Sequence, residues 1–313
     1  MNYLITGGAG FIGSNIARRL AGEGESVRII DNFSTGKRKN IEDISSKTEL
    51  IDGDIRDTET VLKAVKDIDF IIHQAALPSV PRSVKDPITS NEVNVTGTLK
   101  LLNAAKDAKI KRFVYASSSS VYGDTPFLPK KEDMPPNPQS PYAVTKLTGE
   151  YYCAVFYKVY ELPTVSLRYF NVFGPYQDPE SQYAAVIPRF INAILNQNNP
   201  TVYGDGEQSR DFTFIENVVE ANILSCKNDR ASGKIFNIAC GNRYTINKLI
   251  AEISAITGIN ANPVFIESRR GDIKHSLADI SSAREAINYK PKVDFKDGLK
   301  KTVEWFRNNF KFL

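Results

Sequence analysis

Through the first 170 residues, short apolar, β-branched runs alternate with longer stretches whose apolar residues recur at helical spacing. Runs at 2–6, 26–31, 49–53, 69–73, 112–117 and 164–169 have the length and composition of strands. Stretches at 12–21, 58–65, 93–108 and 142–160 carry the 3.6-residue period of helices packed on one side. The strand runs are apolar at consecutive positions, as in Phe70 to Ile72, which is the pattern of strands covered on both faces. The alternation predicts an α/β fold built on a doubly wound parallel sheet. Right-handed crossovers then place every strand's carboxyl end on one edge, where ligands of open α/β sheets bind.

The texture changes after Arg168-Tyr-Phe-Asn171, where FGPYQDPESQ reads as a crossing into a second region. The expected division is 1–170 for a dinucleotide-binding domain and 171–313 for a smaller mixed α/β substrate domain. A segment near 211–240 should rejoin the first sheet through a buried strand at Ile235 to Ile238, so the boundary is not one clean cut. The stretch 126–141, rich in Pro and charge, reads as an exposed loop that delivers the chain to Tyr142.

Composition narrows the function classes. The 313 residues are 42% hydrophobic, enough to bury a full core. Forty basic against thirty-six acidic side chains leave a formal charge of +4, and the cations are scattered, so no nucleic-acid partner is implied. Cys153, Cys226 and Cys240 have no CxxC spacing and read as small buried hydrophobes in a reducing cytoplasm. With His73 and His275 as the only histidines, no metal site is expected. No apolar run approaches the roughly 20 residues of a membrane helix. A strand starting at residue 2 leaves no room for a secretory signal.

Two motifs carry chemistry. GGAGFIG follows the first strand and opens the first helix, with glycines at 7, 10 and 13 and Asp31 at the end of the second strand. That is the context of a Rossmann dinucleotide site, with bare backbone against the pyrophosphate and helix amides aimed at its charge. Asp31 would accept from the ribose hydroxyls and repel a 2′-phosphate, which favours NAD over NADP. Asp54 and Ile55, after the third strand, are candidate adenine contacts. Lys37, Arg38 and Lys39 offer phosphate-binding cations, although such a run is commonly a solvated loop.

The second motif is Tyr142-Ala-Val-Thr-Lys146, a phenol one helical turn ahead of an ammonium. It begins a long helix after the strand that ends in Ser117-Ser-Ser-Ser120, so phenol, ammonium and hydroxyl can converge. Tyr244 and Lys248 repeat the spacing by accident, without that setting. Lys146 beside a cationic nicotinamide would lower the Tyr142 pKa from its ordinary value near 10 and make it a general base. Ser118 would orient the reacting oxygen, and Lys146 would also hold the nicotinamide ribose.

GGAGFIG, DNFSTG at 31–36, SSSSVYG at 117–123, SPYAVTK and RYFNVFGP together resemble the extended short-chain dehydrogenase/reductase family, in particular its nucleotide-sugar 4-epimerases of the UDP-N-acetylglucosamine and UDP-glucose type. The resemblance covers nearly the whole chain. It implies that Gly7, Gly10, Phe11, Ile12, Gly13, Asp31, Asn32, Ser34 and Gly36 hold NAD, together with Asp54, Ile55, Ala75, Asn94, Tyr142 and Lys146. It also implies catalysis by Ser118, Tyr142 and Lys146. Ser119 and Ser120 fall where the related 4,6-dehydratases carry an acidic pair, so dehydration is not expected. Ser118, Ser119, Asn171, Arg210, Arg269 and Asp272 would grip the UDP-sugar, since a diphosphate suits arginine forks.

Ser276 stands where a bulky residue is thought to exclude 2-acetamido sugars, and 177–188 also looks like the hexosamine branch. The expected reaction is NAD-dependent 4-epimerisation of UDP-GlcNAc and UDP-GalNAc through a transient 4-keto sugar. An opened pocket discriminates poorly against smaller hexoses, so UDP-glucose and UDP-galactose remain possible substrates. The rival readings are a UDP-glucuronate 4-epimerase or decarboxylase, a net dehydrogenase turning over external cofactor, and a non-catalytic dinucleotide-sensing protein. Apolar faces on the helices at 93–108 and 142–160 suggest a homodimer, as in the family.

Overall fold

The structure, a computed structural model, describes residues 1–179, 185–268 and 274–310. The strands β1 (Asn2–Thr6), β2 (Ser26–Asp31), β3 (Thr48–Asp52), β4 (Phe70–His73), β5 (Arg112–Ser118) and β6 (Thr164–Tyr169) lie within one or two residues of their expected positions. Between them run α1 (Phe11–Gly22), α2 (Thr58–Val65), α3 (Val80–Lys85), α4 (Pro87–Asn91), α5 (Thr98–Asp107) and α6 (Pro141–Tyr160). Beyond β6 come β7 (Val172–Phe173), α7 (Val186–Leu195), β8 (Thr201–Tyr203), β9 (Ser209–Arg210), β10 (Thr213–Phe214), α8 (Ile215–Lys227) and β11 (Lys234–Ile238). The chain ends with β12 (Tyr244–Thr245), α9 (Ile246–Thr257), β13 (Val264–Ile266), α10 (Ser281–Ile287) and α11 (Phe295–Asn309).

The main sheet has seven parallel strands in the order β11-β6-β5-β4-β1-β2-β3. Successive side chains point to opposite faces, and the two cores follow that period. Tyr3 and Ile5 of β1 enter the core under α1 and α8, whereas Leu4 enters the core under α2, α5 and α6. β11 pairs in register with β6, so the chain returns to this sheet after its first excursion. Strand order reverses between β1 and β4, which opens a crevice above their carboxyl ends.

Three local expectations need correction. The helix expected at 93–108 is α5 preceded by a π-helical stretch, Glu92–Gly97. Tertiary contacts account for the widening: Asn94 turns inward to the backbone of Leu77, and a Cβ at Gly97 would lie 2.7 Å from Ile55. Arg38–Lys47, whose first residues read as a solvated loop, forms a 3₁₀ helix that buries Ile41 and Ile44. Finally, the stretch 126–141 is not simply exposed. Lys130 is buried and its backbone pairs with Leu277 and Asp279.

Candidate active site

β1 stops at Thr6, whose hydroxyl lies 2.6 Å from His73 Nδ1 and accepts from the Ala75 amide at 3.1 Å. The chain then turns through Gly7 at φ +67°, where a Cβ would come within 2.8 Å of the Ala75 backbone. A Cβ at Gly13 would lie 2.2 Å from the Gly7 carbonyl oxygen, so only glycine lets α1 start this close to the strand. Gly10 is the N-cap, with no side-chain cap and no acid in the first turn. The amide end of α1 is therefore left to face a cavity of about 430 Å³.

Gly7, Gly10, Phe11, Ile12 and Gly13 line one end of this cavity, with Asp31, Asn32, Ser34, Asp54, Ile55 and Ala75 along its walls. Asp31 accepts from the amides of Ala9 (2.9 Å) and Phe33 (2.8 Å); burial raises its pKa against those two bonds. Gly36 is not part of the lining. A Cβ there would lie 2.9 Å from both Asp31 carboxylate oxygens, so this glycine lets the chain pass over the acid. Asn94 also stands back from the lining and holds Leu77 by accepting from its amide (2.7 Å). Asp54 is engaged by Arg56 and Asn32, and the Arg56 guanidinium holds its carboxyl down at about 2. Of the neighbouring cations, Lys37 pairs with Asp178 at 2.7 Å, while Arg38 pairs with Asp52 and covers the Phe33 ring.

The opposite wall is the start of α6. Ser140 caps the helix by accepting from the Ala143 amide (3.2 Å), and Pro141 takes the first turn, where its missing N–H costs nothing. The Tyr142 amide, an orphan of that first turn, donates to the buried Ser83 hydroxyl (3.0 Å). Tyr142 and Lys146 both line the cavity, as does Ser117, whereas Ser118 stands outside the lining with its hydroxyl near enough to the Tyr142 phenol to favour the phenolate. Ser118 ends β5 and caps the 3₁₀ turn Ser119–Tyr122 by accepting from the Ser120 amide (3.2 Å). Ser119, half-buried, lies next to it.

The electrostatics differ from the expectation. Burial pushes the Tyr142 phenol above its ordinary value, with the Ser118 hydrogen bond acting against it. The Lys146 ammonium donates to the Ala116 carbonyl at 2.8 Å and lies 6.0 Å from the centre of the Tyr142 ring. Burial lowers it to about 8. In these surroundings Lys146 alone does not keep the phenol ionised at neutral pH, because desolvation disfavours both charged forms.

A second cavity, of about 300 Å³, adjoins the first at Ala185, which lines both. Asn171 and Arg210 are in its wall. Asn171 turns through φ 35° and donates to the Asp211 carbonyl (3.2 Å). Arg210 donates to the carbonyls of Ser209 (3.0 Å) and Lys274 (3.1 Å). Ser276 stands outside the lining of both cavities, with its amide on the Ser209 carbonyl at 3.0 Å. Arg269 and Asp272 lie outside the described residues. Tyr244 stacks on Phe295 with ring centres 4.1 Å apart, and Lys248 pairs with Glu252, so the second Tyr-x-x-x-Lys pair faces neither cavity.

Several lining residues went unread in the sequence. Gln74, Tyr169 and Gln177 line the first cavity, and Gln74 donates to the Tyr169 hydroxyl at 2.9 Å. Arg189, Tyr203 and Gln208 line the second. The only available signal was their nearness to motifs, as with Tyr169 in RYFN. Among the described residues no cluster of His, Cys, Asp and Glu has the arrangement of a metal site. None of the described helices is long and apolar enough to cross a membrane.

A family model described as the NAD dependent epimerase/dehydratase family matches residues 3–239. A UDP-N-acetylglucosamine 4-epimerase from Methanobrevibacter ruminantium, solved with UDP-N-acetylmuramic acid, is 45% identical at a TM-score of 0.95, with 99% of each chain covered. A UDP-glucose 4-epimerase from Thermotoga maritima, solved with UDP-glucose, is 35% identical at a TM-score of 0.95, over 99% of this chain and 100% of that one. A putative UDP-glucose 4-epimerase of Methanocaldococcus jannaschii is 38% identical over 310 residues, 98% of each chain.

Proposed function

The chain belongs to the NAD dependent epimerase/dehydratase family, and on that premise we propose that it is a UDP-hexosamine 4-epimerase interconverting UDP-GlcNAc and UDP-GalNAc. The observation that carries the reading is that Tyr142 and Lys146 share one wall of a cavity whose other end is a bare helix amino terminus, with Ser118 next to Ser117, which is in the same wall. The first cavity fits NAD. Gly10 would meet only the Gly7 carbonyl if it carried a Cβ, which leaves its outer side open to a pyrophosphate. Asp31 keeps acceptor capacity beyond its two backbone bonds for a ribose diol, and its neighbouring cations Lys37 and Arg38 are already paired with acids. Bound NAD+ supplies the acceptor for the hydride of sugar carbon 4.

The chain's own residues supply the rest. Tyr142 Oη takes the proton of the C4 hydroxyl, and the Ser118 hydroxyl, beside the phenol, orients that oxygen. Lys146 brings a positive charge to the site, which favours the phenolate at the moment it is needed. The second cavity takes the nucleotide, with Arg210 toward the diphosphate and Asn171 beside it; Arg269 and Asp272 are assigned to the same grip by their motif. Firm hold on the nucleotide with looser contact to the hexose lets the 4-keto ring present its other face before hydride returns.

The hexosamine assignment is supported by the similarity to a UDP-N-acetylglucosamine 4-epimerase and by the sequence motif that carries Ser276, although Ser276 itself lines neither cavity. The test is incubation of the purified protein with UDP-GlcNAc and no added cofactor, followed by NMR. UDP-GalNAc should appear with no net consumption of NAD, and Tyr142→Phe should keep its bound NAD while losing at least about 100-fold in turnover. Parallel incubations with UDP-glucose and UDP-glucuronate separate the rivals: product from UDP-glucuronate alone discards the hexosamine reading.

A further inference from the structure

α6 presents Tyr142, Lys146 and Glu150 at intervals of one helical turn, so all three project from the same side. Glu150 has no part in the reaction as proposed, yet its side chain is fully buried. Its Oε1 accepts from Arg168 Nε (2.9 Å) and from the Ser117 hydroxyl, and its Oε2 accepts from Arg168 Nη2 (2.8 Å). Arg168 is 3% exposed. A buried pair of this kind is a poor device for stability, because apolar residues of similar volume commonly serve as well. Its neighbours suggest another use.

Ser117 immediately precedes Ser118 at the end of β5. On the other flank, the Arg168 guanidinium lies 4.7 Å from the centre of the Tyr122 ring, in the last residue of the turn that Ser118 caps. Tyr122 is itself tied down by donating to Asn237 Oδ1 at 2.7 Å. Glu150, on the helix that carries the phenol and the ammonium, and Arg168, on the neighbouring strand β6, thus grip both ends of the segment that carries Ser118.

We infer that the buried Glu150–Arg168 pair is a positioning unit that keeps the Ser118 hydroxyl in register with the Tyr142 phenol and the Lys146 ammonium. The inference rests on the epimerase reading above. Misplacement of a reacting group by 1 Å costs on the order of 100-fold in rate, so a rigid tie between β5 and α6 has a direct consequence for turnover. A second consequence is electrostatic. The groups facing Lys146 are Tyr142, Glu150 and Cys153 from α6, Tyr115 and the Ala116 carbonyl from β5, and His73 from β4. Burial holds the Tyr115, Tyr142 and Cys153 side chains above their ordinary values and His73 below, so all four are neutral near pH 7. Glu150 is the anion of the set, and its charge helps Lys146 keep its proton.

Steady-state kinetics of the holoenzyme with UDP-GlcNAc, from about pH 6 to 10, tests this in wild type, Glu150→Gln and Ser117→Ala. Ser117→Ala leaves the ion pair intact and keeps the inference testable if Glu150→Gln does not fold. Ser117→Ala should lower kcat at least about tenfold, with KM and bound NAD little changed. Glu150→Gln should lower kcat similarly and shift its alkaline limb to lower pH. Wild-type kcat in Ser117→Ala overturns the inference, as does an unmoved alkaline limb in a folded Glu150→Gln. A wild-type protein that epimerises no UDP-sugar overturns the underlying reading instead.

Discussion

His73 stands between two neutral hydroxyls, Thr6 Oγ at 2.6 Å from Nδ1 and Thr98 Oγ at 2.8 Å from Nε2, wholly inside the sheet. Burial, and then the nearby Lys146 charge, lowers its pKa to about 3 from an ordinary 6.5. The unfolded chain therefore binds a proton that the folded chain refuses. The stability this histidine confers is complete above pH 6.5 and is lost as pH falls toward 3, at up to about 1.4 kcal/mol per pH unit. Urea unfolding from pH 7 to pH 5 should show the wild type losing about 2 kcal/mol more than His73→Gln. Asp211, whose carboxyl burial pushes up to about 7, acts in the opposite sense over this window but is common to both proteins. Equal slopes would mean that His73 accepts its proton in place.

At the scale of elements, α1 shows how far position decides the meaning of a glycine. A Cβ on Gly13 meets the Gly7 carbonyl at 2.2 Å, whereas a Cβ on Gly22 in the last turn meets nothing within 4 Å. Gly13→Ala should cost about 1–3 kcal/mol and release bound NAD, while Gly22→Ala should be neutral or stabilise by up to about 1 kcal/mol. Urea midpoints and the NAD absorbance of the purified proteins check both. The same constraint explains why this turn into α1 was readable from sequence: backbone contact at Gly7 and Gly13 admits one residue type. The start of α6 was readable because Ser140 and Pro141 announce it locally. α3 and α4 carry comparable signals, with caps at Ser79 and Asp86 and prolines in their first turns. At six and five residues they are too short to show a period. The π-helical stretch before α5 leaves no local trace, since Gly97 against Ile55 and Asn94 against Leu77 impose it from outside. The second cavity was only half visible for a like reason. Arg189, Tyr203 and Gln208 come from α7, β8 and the turn before β9, and only the folded chain brings them together.

Over the whole molecule, α6 is unusual in turning mostly apolar side chains to solvent, with Lys158 as its one exposed charge. Its inner side carries Tyr142, Lys146, Glu150 and Cys153, while Val144, Tyr151, Val155 and Val159 form a stripe on the opposite side, each 48–64% exposed. Val84 and Ile88, on the adjoining α3 and α4, extend the patch at 64% and 72% exposure. An exposed apolar stripe of this length calls for a cover. A second copy of the chain, paired across a two-fold axis, supplies a matching stripe by symmetry and is the cover the family resemblance implies. Sedimentation equilibrium at micromolar concentration should then give twice the chain mass. Val155→Glu, which sets two like charges near such an axis, should give the monomer. Because the stripe backs the same helix that carries the phenol and ammonium, the monomeric variant should also lose turnover with its NAD still bound. A wild type that stays monomeric throughout the concentration range would leave the stripe uncovered and the pairing wrong.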